Sequence, residues 1–271
     1  MLLHLILRLP SAYFLVTHGS RDPRPQAALE QLAQGLRERL AALVAPDTPD
    51  LEPMDASALP LVGTGTLELG SLPLDEQIKQ FGAQALSRQL TQVQLVPLFL
   101  LPGVHVKEDI PAAVGIAQQA LGEQVQIALR PQLGIHAGLA PLIAHQMATL
   151  PVEAWILLAH GSRRRGGNVP IQAMAAQLNA VPAYWSMSPK LERRVKELVA
   201  AGYQQIGVMP YFLFAGSTTD AIAQEVERLG YQFPQINLRL AAPLEPSAAI
   251  AELLLDLIHL PAALGSVSLP A

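Results

Sequence analysis

The chain has 271 residues, of which 51% are hydrophobic and 15% charged, with a formal net charge of −4 and no cysteine. That much apolar material excludes wholesale disorder, while apolar runs broken before the ~18 residues of a membrane helix exclude a spanning protein. Without cysteine there is no disulfide framework, thiolate metal site or cysteine nucleophile, and a pI near 6.0 argues against a sequence-independent nucleic-acid binder.

Met1–Pro10 is apolar but lacks the charged start of a secretory signal, and Arg8 ends it, so a cytoplasmic protein is expected. Tyr13–Thr17 reads as a buried strand and Gln26–Leu43 as an amphipathic helix. A loop, Ala45–Ala56, carries three prolines and four acidic residues. Leu61–Leu69 is the next strand, weakened by Gly63 and Gly65, and Pro73 opens a helix to about Leu90. Val93–Leu101 is the clearest strand, followed by a helix near Glu108–Leu121, a strand at Val125–Leu129 and a helix around Ala137–Thr149.

The pattern then restarts. Strands are expected at Ala154–Ala159, Val181–Ser186, Ile206–Phe214 and Ile236–Ala241. Helices near Val169–Leu178, Pro189–Ala200, Thr219–Leu229 and Ser247–Ile258 separate them, and Leu260–Ala271 reads as a loose end. Alternating strands and helices predict parallel sheets covered on both faces. YFLVTHGSR (13–21) aligns with WILLAHGSR (155–163), and PLFLLPG (97–103) with PYFLFAG (210–216). The chain therefore reads as a duplicated α/β unit: residues 1–150 carry the working site and residues 151–271 form a degenerate repeat.

Open parallel sheets bind ligands at the carboxyl ends of their strands. His18, Glu68 and His105 each fall at such an end, and two imidazoles with a carboxylate make a plausible ligand set for a divalent transition metal. At matching offsets the second copy has His160, Tyr184 and Thr218, and His136 maps to Ser247. Framework residues survive the duplication and ligand-type residues do not, which points to one site in the first half. A contribution from His160 or His136 stays open, and His4, His145 and His259 carry no motif. Each candidate also has a plainer reading: a histidine bracing its Gly turn, a surface carboxylate, a solvated arginine run.

THGSR (17–21), LELGSLP (67–73) and VPLFLLPGVHVKEDIP (96–111), with LAHGSR, SMSPKL and MPYFLFAG in the second half, resemble the sirohydrochlorin chelatases of the CbiX/SirB type. The resemblance spans about residues 12–258. It implies two flavodoxin-like, chelatase-like α/β domains with a cleft between them, and insertion of Fe²⁺ or Co²⁺ into sirohydrochlorin for sirohaem or cobalamin. It also implies His18, Glu68 and His105 as catalytic and metal-holding residues, although the stretch between His18 and Glu68 is longer than is common in the family. The metal is then a substrate, with no permanent cofactor; Ni²⁺ and Zn²⁺ are possible in vitro. The absence of a His-rich tail leans towards iron.

Metal entry must displace two pyrrole N–H protons, so the site needs a metal holder and proton acceptors. Protonating the ligands at low pH would abolish metal binding. A macrocycle rich in carboxylates calls for local positive charge on an otherwise acidic chain. Ser20, Arg21, Arg24 and Lys107, with Arg163, Arg164 and Arg165 across the cleft, are the expected contacts, aided by helix N-termini after the HGSR loops. Leu101, Pro102 and Val104 would wall the apolar faces. Expected partners are sirohydrochlorin and a metal ion, with no nucleic acid or membrane; a monomer is expected and a dimer left open. A histidine phosphatase needs an arginine before its histidine, where Thr17 and Ala159 stand here. A non-enzymatic tetrapyrrole or metal carrier uses the same ligands and stays as the alternative.

Overall fold

The β1 strand, Ser11–Thr17, alternates its side chains between two buried faces: Phe14 and Val16 enter one core, Leu15 another. A strand covered on both sides reads as a continuous apolar run. The computed structural model describes residues 11–44 and 60–259. Met1–Pro10, the loop Ala45–Ala56, the tail Leu260–Ala271 and His4 lie outside the described residues.

In chain order β1 is followed by α1 (Pro23–Val44), β2 (Val62–Thr66), α2 (Leu74–Ser87) and β3 (Gln92–Pro97). A π-helical turn, His105–Asp109, leads into α3 (Ile110–Leu121), then β4 (Gln126–Leu129), a 3₁₀ turn (Leu133–Ile135) and α4 (Leu139–Met147). The second half runs β5 (Ala154–Ala159), α5 (Val169–Gln177), β6 (Ala180–Tyr184), α6 (Leu191–Ala200), β7 (Gln205–Pro210), α7 (Ser217–Gln232), β8 (Asn237–Leu240) and α8 (Ala248–His259).

Two four-stranded sheets result, β2-β1-β3-β4 and β6-β5-β7-β8, every strand pair parallel. The order is the same in both, as the duplication implies. One core packs α2 and α3 on the outer face of the first sheet, and a second packs α6 and α7 on the outer face of the other. A third core joins the halves, combining Leu15 and Val96 of the first sheet with Leu157 and Met209 of the second through residues of α1, α4, α5 and α8.

Helix α8 belongs to the second half in sequence yet packs on α1, β3 and the 3₁₀ turn of the first. Leu254, Leu255, Leu257 and Ile258 are buried there, Arg39 pairs with Glu252, and His136 Nε2 lies 3.6 Å from Asp256. Burying a leucine contributes about 1.5–3 kcal/mol, whereas an exposed ion pair adds about 0–1 kcal/mol. The apolar face therefore holds α8 in place, and the Arg39–Glu252 ion pair and the His136–Asp256 contact flank it. From the other side, Gln146 of α4 donates to the carbonyls of Ala242 and Pro243 beyond β8.

Three strands end three or four residues earlier than sequence reading suggests, and β6 and β8 end two and one residues earlier. β2 stops at Thr66 rather than Leu69, because Leu69 adopts φ 59° in a tight turn. β3 and β7 end at Pro97 and Pro210 rather than Leu101 and Phe214. After one further ladder bond each, Leu98 N–H to Val16 O and Tyr211 N–H to Leu158 O, the chain leaves the sheet and crosses its carboxyl edge.

Candidate functional site

The turns at the carboxyl edge of the first sheet bring three ligand-type side chains together. His18 follows β1 directly. The ladder between β1 and β2 continues past the strands, with Leu67 N–H donating to Thr17 O at 2.9 Å and Glu68 N–H to His18 O at 2.8 Å. This keeps Glu68 beside His18 even though β2 has ended. Gly19 (φ 99°) makes the close approach possible, since a Cβ there would overlap the Glu68 carbonyl oxygen.

His105 opens the π turn, whose Ile110 N–H reaches back to His105 O. Such turns interrupt α-helices most often at functional sites. The His105 ring lies 4.9 Å from the His18 ring, nearly perpendicular to it at 78°. His18 Nε2 is 3.8 Å from Glu68 Oε2. One ligand atom from each of His18, Glu68 and His105 falls within 4.8 Å of the other two, and among the described residues this is the group able to hold a metal ion. Their side chains are 49%, 52% and 29% exposed, so the cluster is open to a large incoming partner.

In both rings Nδ1 faces an oxygen, at different distances. His18 Nδ1 faces its neighbour's carbonyl, Gly19 O, at 3.4 Å, and His105 Nδ1 lies 2.7 Å from Asp109 Oδ2. Sequence reasoning missed Asp109. Its spacing of four from His105 on a helical segment was the available signal.

Beside His18 opens a cleft of about 770 Å³, lined by Thr66, Leu69, Leu72 and Gln77 of the first half and by Leu213 and Phe214 of the second. Gln77 is already engaged with the backbone of Thr66 and Leu72. Walls of mixed polar and apolar character, reached from both halves, suit a ligand with apolar faces and polar groups.

The expected basic contacts divide into two groups. Arg21, Lys107, Arg163 and Arg165 are exposed around this edge, and Arg164 reaches across to Glu108 at 3.7 Å. Arg24 instead is held by two carboxylates, bonding Asp22 on its own loop and, at 3.0 Å, Asp220 of α7. These bonds raise Arg24's affinity for its proton and hold Asp22 and Asp220 below the usual carboxylate range. Arg24 thus clasps the two halves together at the cleft. The start of α1 is likewise taken: Arg24 N–H donates to Asp22 Oδ1, so the helix dipole already meets a carboxylate. Ser20 Oγ accepts from Asp22 N–H at 3.0 Å, bracing the same loop.

In the second half the backbone repeats this geometry without its chemistry. Trp185 N–H donates to Ala159 O, Ser186 N–H to His160 O, and Gly161 has φ 87°. The strand registers pair Thr17 with Thr66 and Ala159 with Tyr184, so the counterpart of Glu68 is Ser186, not Tyr184. The gap between repeats differs by two residues from the offset that the prolines Pro73 and Pro189 suggest. His160 is exposed, with Ser186 and Thr218 where the first half has Glu68 and His105. His136 Nδ1 accepts from Gly138 N–H while its Nε2 faces Asp256, so this ring serves the docking of α8.

The CbiX family model matches residues 12–150 and again 154–259. A sirohydrochlorin ferrochelatase of Bacillus subtilis (strain 168) is 23% identical over 240 residues, covering 84% of this chain and 83% of that protein. A sirohydrochlorin cobaltochelatase of Methanocaldococcus jannaschii is 27% identical over 107 residues, covering 40% of this chain and 60% of its own length. Among solved structures, that of SirB from Bacillus subtilis with Fe³⁺ superposes with a TM-score of 0.70 at 22% identity, covering 93% of this chain and 96% of that one.

Proposed function

This chain belongs to the CbiX family, and from that premise we propose that it is a chelatase, a lyase that inserts Fe²⁺ or Co²⁺ into sirohydrochlorin at His18, Glu68 and His105. The observation that carries the reading is the convergence of these three side chains, from three separate strand ends, on one point beside an open cleft. The ferrochelatase and cobaltochelatase names of the relatives support both metals as substrates.

The residues divide the work as follows. Two imidazole nitrogens and a carboxylate oxygen hold a divalent ion through borderline ligands, with no thiolate to retain it. Glu68 offsets part of the ion's charge. Because the cluster is half exposed, a macrocycle seated in the cleft can approach the ion from the open side. As the metal passes to the four ring nitrogens, two N–H protons leave; the imidazoles and carboxylate, freed of the metal, are placed to accept them. Arg21, Lys107, Arg163 and Arg164 supply positive charge for the carboxylate rim, with Ser20 on the adjoining loop. Arg24 acts through the clasp with Asp220 and not as a free charge.

The proposal includes a division at residues 150 and 151 into a working unit and a scaffold repeat, a cytoplasmic monomer and no resident cofactor. No described helix is long and apolar enough to cross a membrane. The test is anaerobic: sirohydrochlorin and Co²⁺ or Fe²⁺ are mixed with protein while the macrocycle absorbance is followed. Acceleration over metal alone, lost in His18→Ala, His105→Ala and Glu68→Gln, is expected. Binding of the macrocycle without acceleration would make the protein a carrier.

A further inference from the structure

We propose that Asp109 is a positioning residue that selects which nitrogen His105 turns towards the metal; the inference rests on the reading of His18, Glu68 and His105 as the metal-holding set. His105 and Asp109 are the first and last residues of the π turn, and their side chains meet at 2.7 Å. An ionised carboxylate only accepts, so the ring nitrogen facing it, Nδ1, carries the hydrogen. Nε2 is left with its lone pair, on the side away from Asp109. This is the arrangement by which an outer carboxylate fixes the tautomer and orientation of a ligating imidazole and enriches it as a donor.

Asp109 has no competing task in its own helix. It stands at the N-terminal boundary of α3 with helical backbone angles, and its side chain makes no capping bond. It also lies outside the trio of convergent ligand atoms. The two imidazoles are therefore oriented unequally. His18 Nδ1 has a backbone carbonyl at 3.4 Å and its Nε2 a Glu68 oxygen at 3.8 Å, whereas His105 Nδ1 has a carboxylate oxygen at true hydrogen-bond distance. His105 is the pre-set ligand of the pair and His18 the looser one.

Two measurements on the metal-free protein and its Co²⁺ complex test this without turnover. In ¹⁵N-histidine-labelled wild type, His105 is expected as the Nδ1–H tautomer, and Asp109→Ala is expected to relax it to a mixture. Calorimetric titration with Co²⁺ should show Asp109→Ala binding roughly 10–100-fold more weakly, the usual effect of losing an outer-shell partner. Asp109→Asn, whose amide oxygen still accepts from Nδ1–H, should keep the tautomer and recover most of the affinity. An Nε2–H tautomer in wild type overturns the proposal and needs no variant, so the test stands even where Asp109→Ala fails to fold. Wild-type affinity in Asp109→Ala, with affinity lost in His105→Ala, overturns it while leaving the metal site intact. Unchanged affinity in His105→Ala would instead remove the metal reading itself.

Discussion

Gly19 and Glu68 approach so closely that a single methyl group on Gly19 would occupy the space of the Glu68 carbonyl oxygen. The contact is backbone against backbone, so no side-chain rotation relieves it. Gly19 also holds φ 99°, a region L-residues rarely enter.

Gly19→Ala is accordingly expected to destabilise the fold by about 1–3 kcal/mol, the range for a strained backbone position. It should also weaken Co²⁺ binding, because the clash moves Glu68 away from His18. Thermal unfolding with metal titration checks both. Gly103→Ala is the control: a Cβ there meets nothing within 4 Å, and both readouts should stay near wild type.

His160→Ala should leave the chelation rate unchanged, and His18→Ala should abolish the acceleration. The two histidines occupy matching turns, but Ser186 and Thr218 stand at the positions of Glu68 and His105. A large loss of rate in His160→Ala would mean that the second half contributes chemistry.

The clasp between Arg24 and Asp220 predicts a pH-dependent stability. The guanidinium beside Asp220 lowers its affinity for a proton in the folded state. The unfolded chain therefore binds more protons near the ordinary carboxylate value of ~3.9. Stability from this pair is complete above that value and is lost as pH falls through the lower folded value. Asp220→Asn should thus melt below wild type at pH 6, with the gap closing towards pH 2. A gap independent of pH would show that the ion pair is not its source.

Arg163→Glu should raise the KM for sirohydrochlorin with little change in kcat, since an exposed charge beside the loop of Arg164, which reaches Glu108, acts on encounter and not on metal transfer. The increase should shrink with added salt. Steady-state rates at two ionic strengths decide; a fall in kcat alone would place Arg163 in another role.

Much of the fold was legible because its signals are local. Val93–Val96 and Ile156–Leu158 announce buried parallel strands by composition, and the repeated HGSR motif exposes the duplication. The convergence of His18, Glu68 and His105 could be anticipated because each follows a strand end. What stayed hidden depends on partners distant in sequence. The apolar face of Ile250–Ile258 predicts a helix but not that it covers the opposite half's sheet. Arg24 looks like a free cation until Asp220, 196 residues away, is placed against it. The equivalence of Glu68 with Ser186 follows from strand register, which equal spacing of prolines does not reveal. Strand ends read too long because the hydrophobic run continues through Leu98–Leu101, where Leu98 makes the last ladder bond and Phe99, Leu100 and Leu101 pack against the cores beyond the sheet.

The position of α8 bears on the order in which the molecule can be made. During synthesis β1 to β4 emerge first, and α1 can cover β1 and β2, but the β3 side of the inner face and the exposed flank of α1 lack their partner until residues 248–259 have left the ribosome. The half that carries His18, Glu68 and His105 therefore cannot finish folding ahead of the other, as an N-terminal domain ordinarily would. Completion of this half waits on nearly the whole described chain, so a partial translation product carries His18, Glu68 and His105 without the packed support that holds them in register.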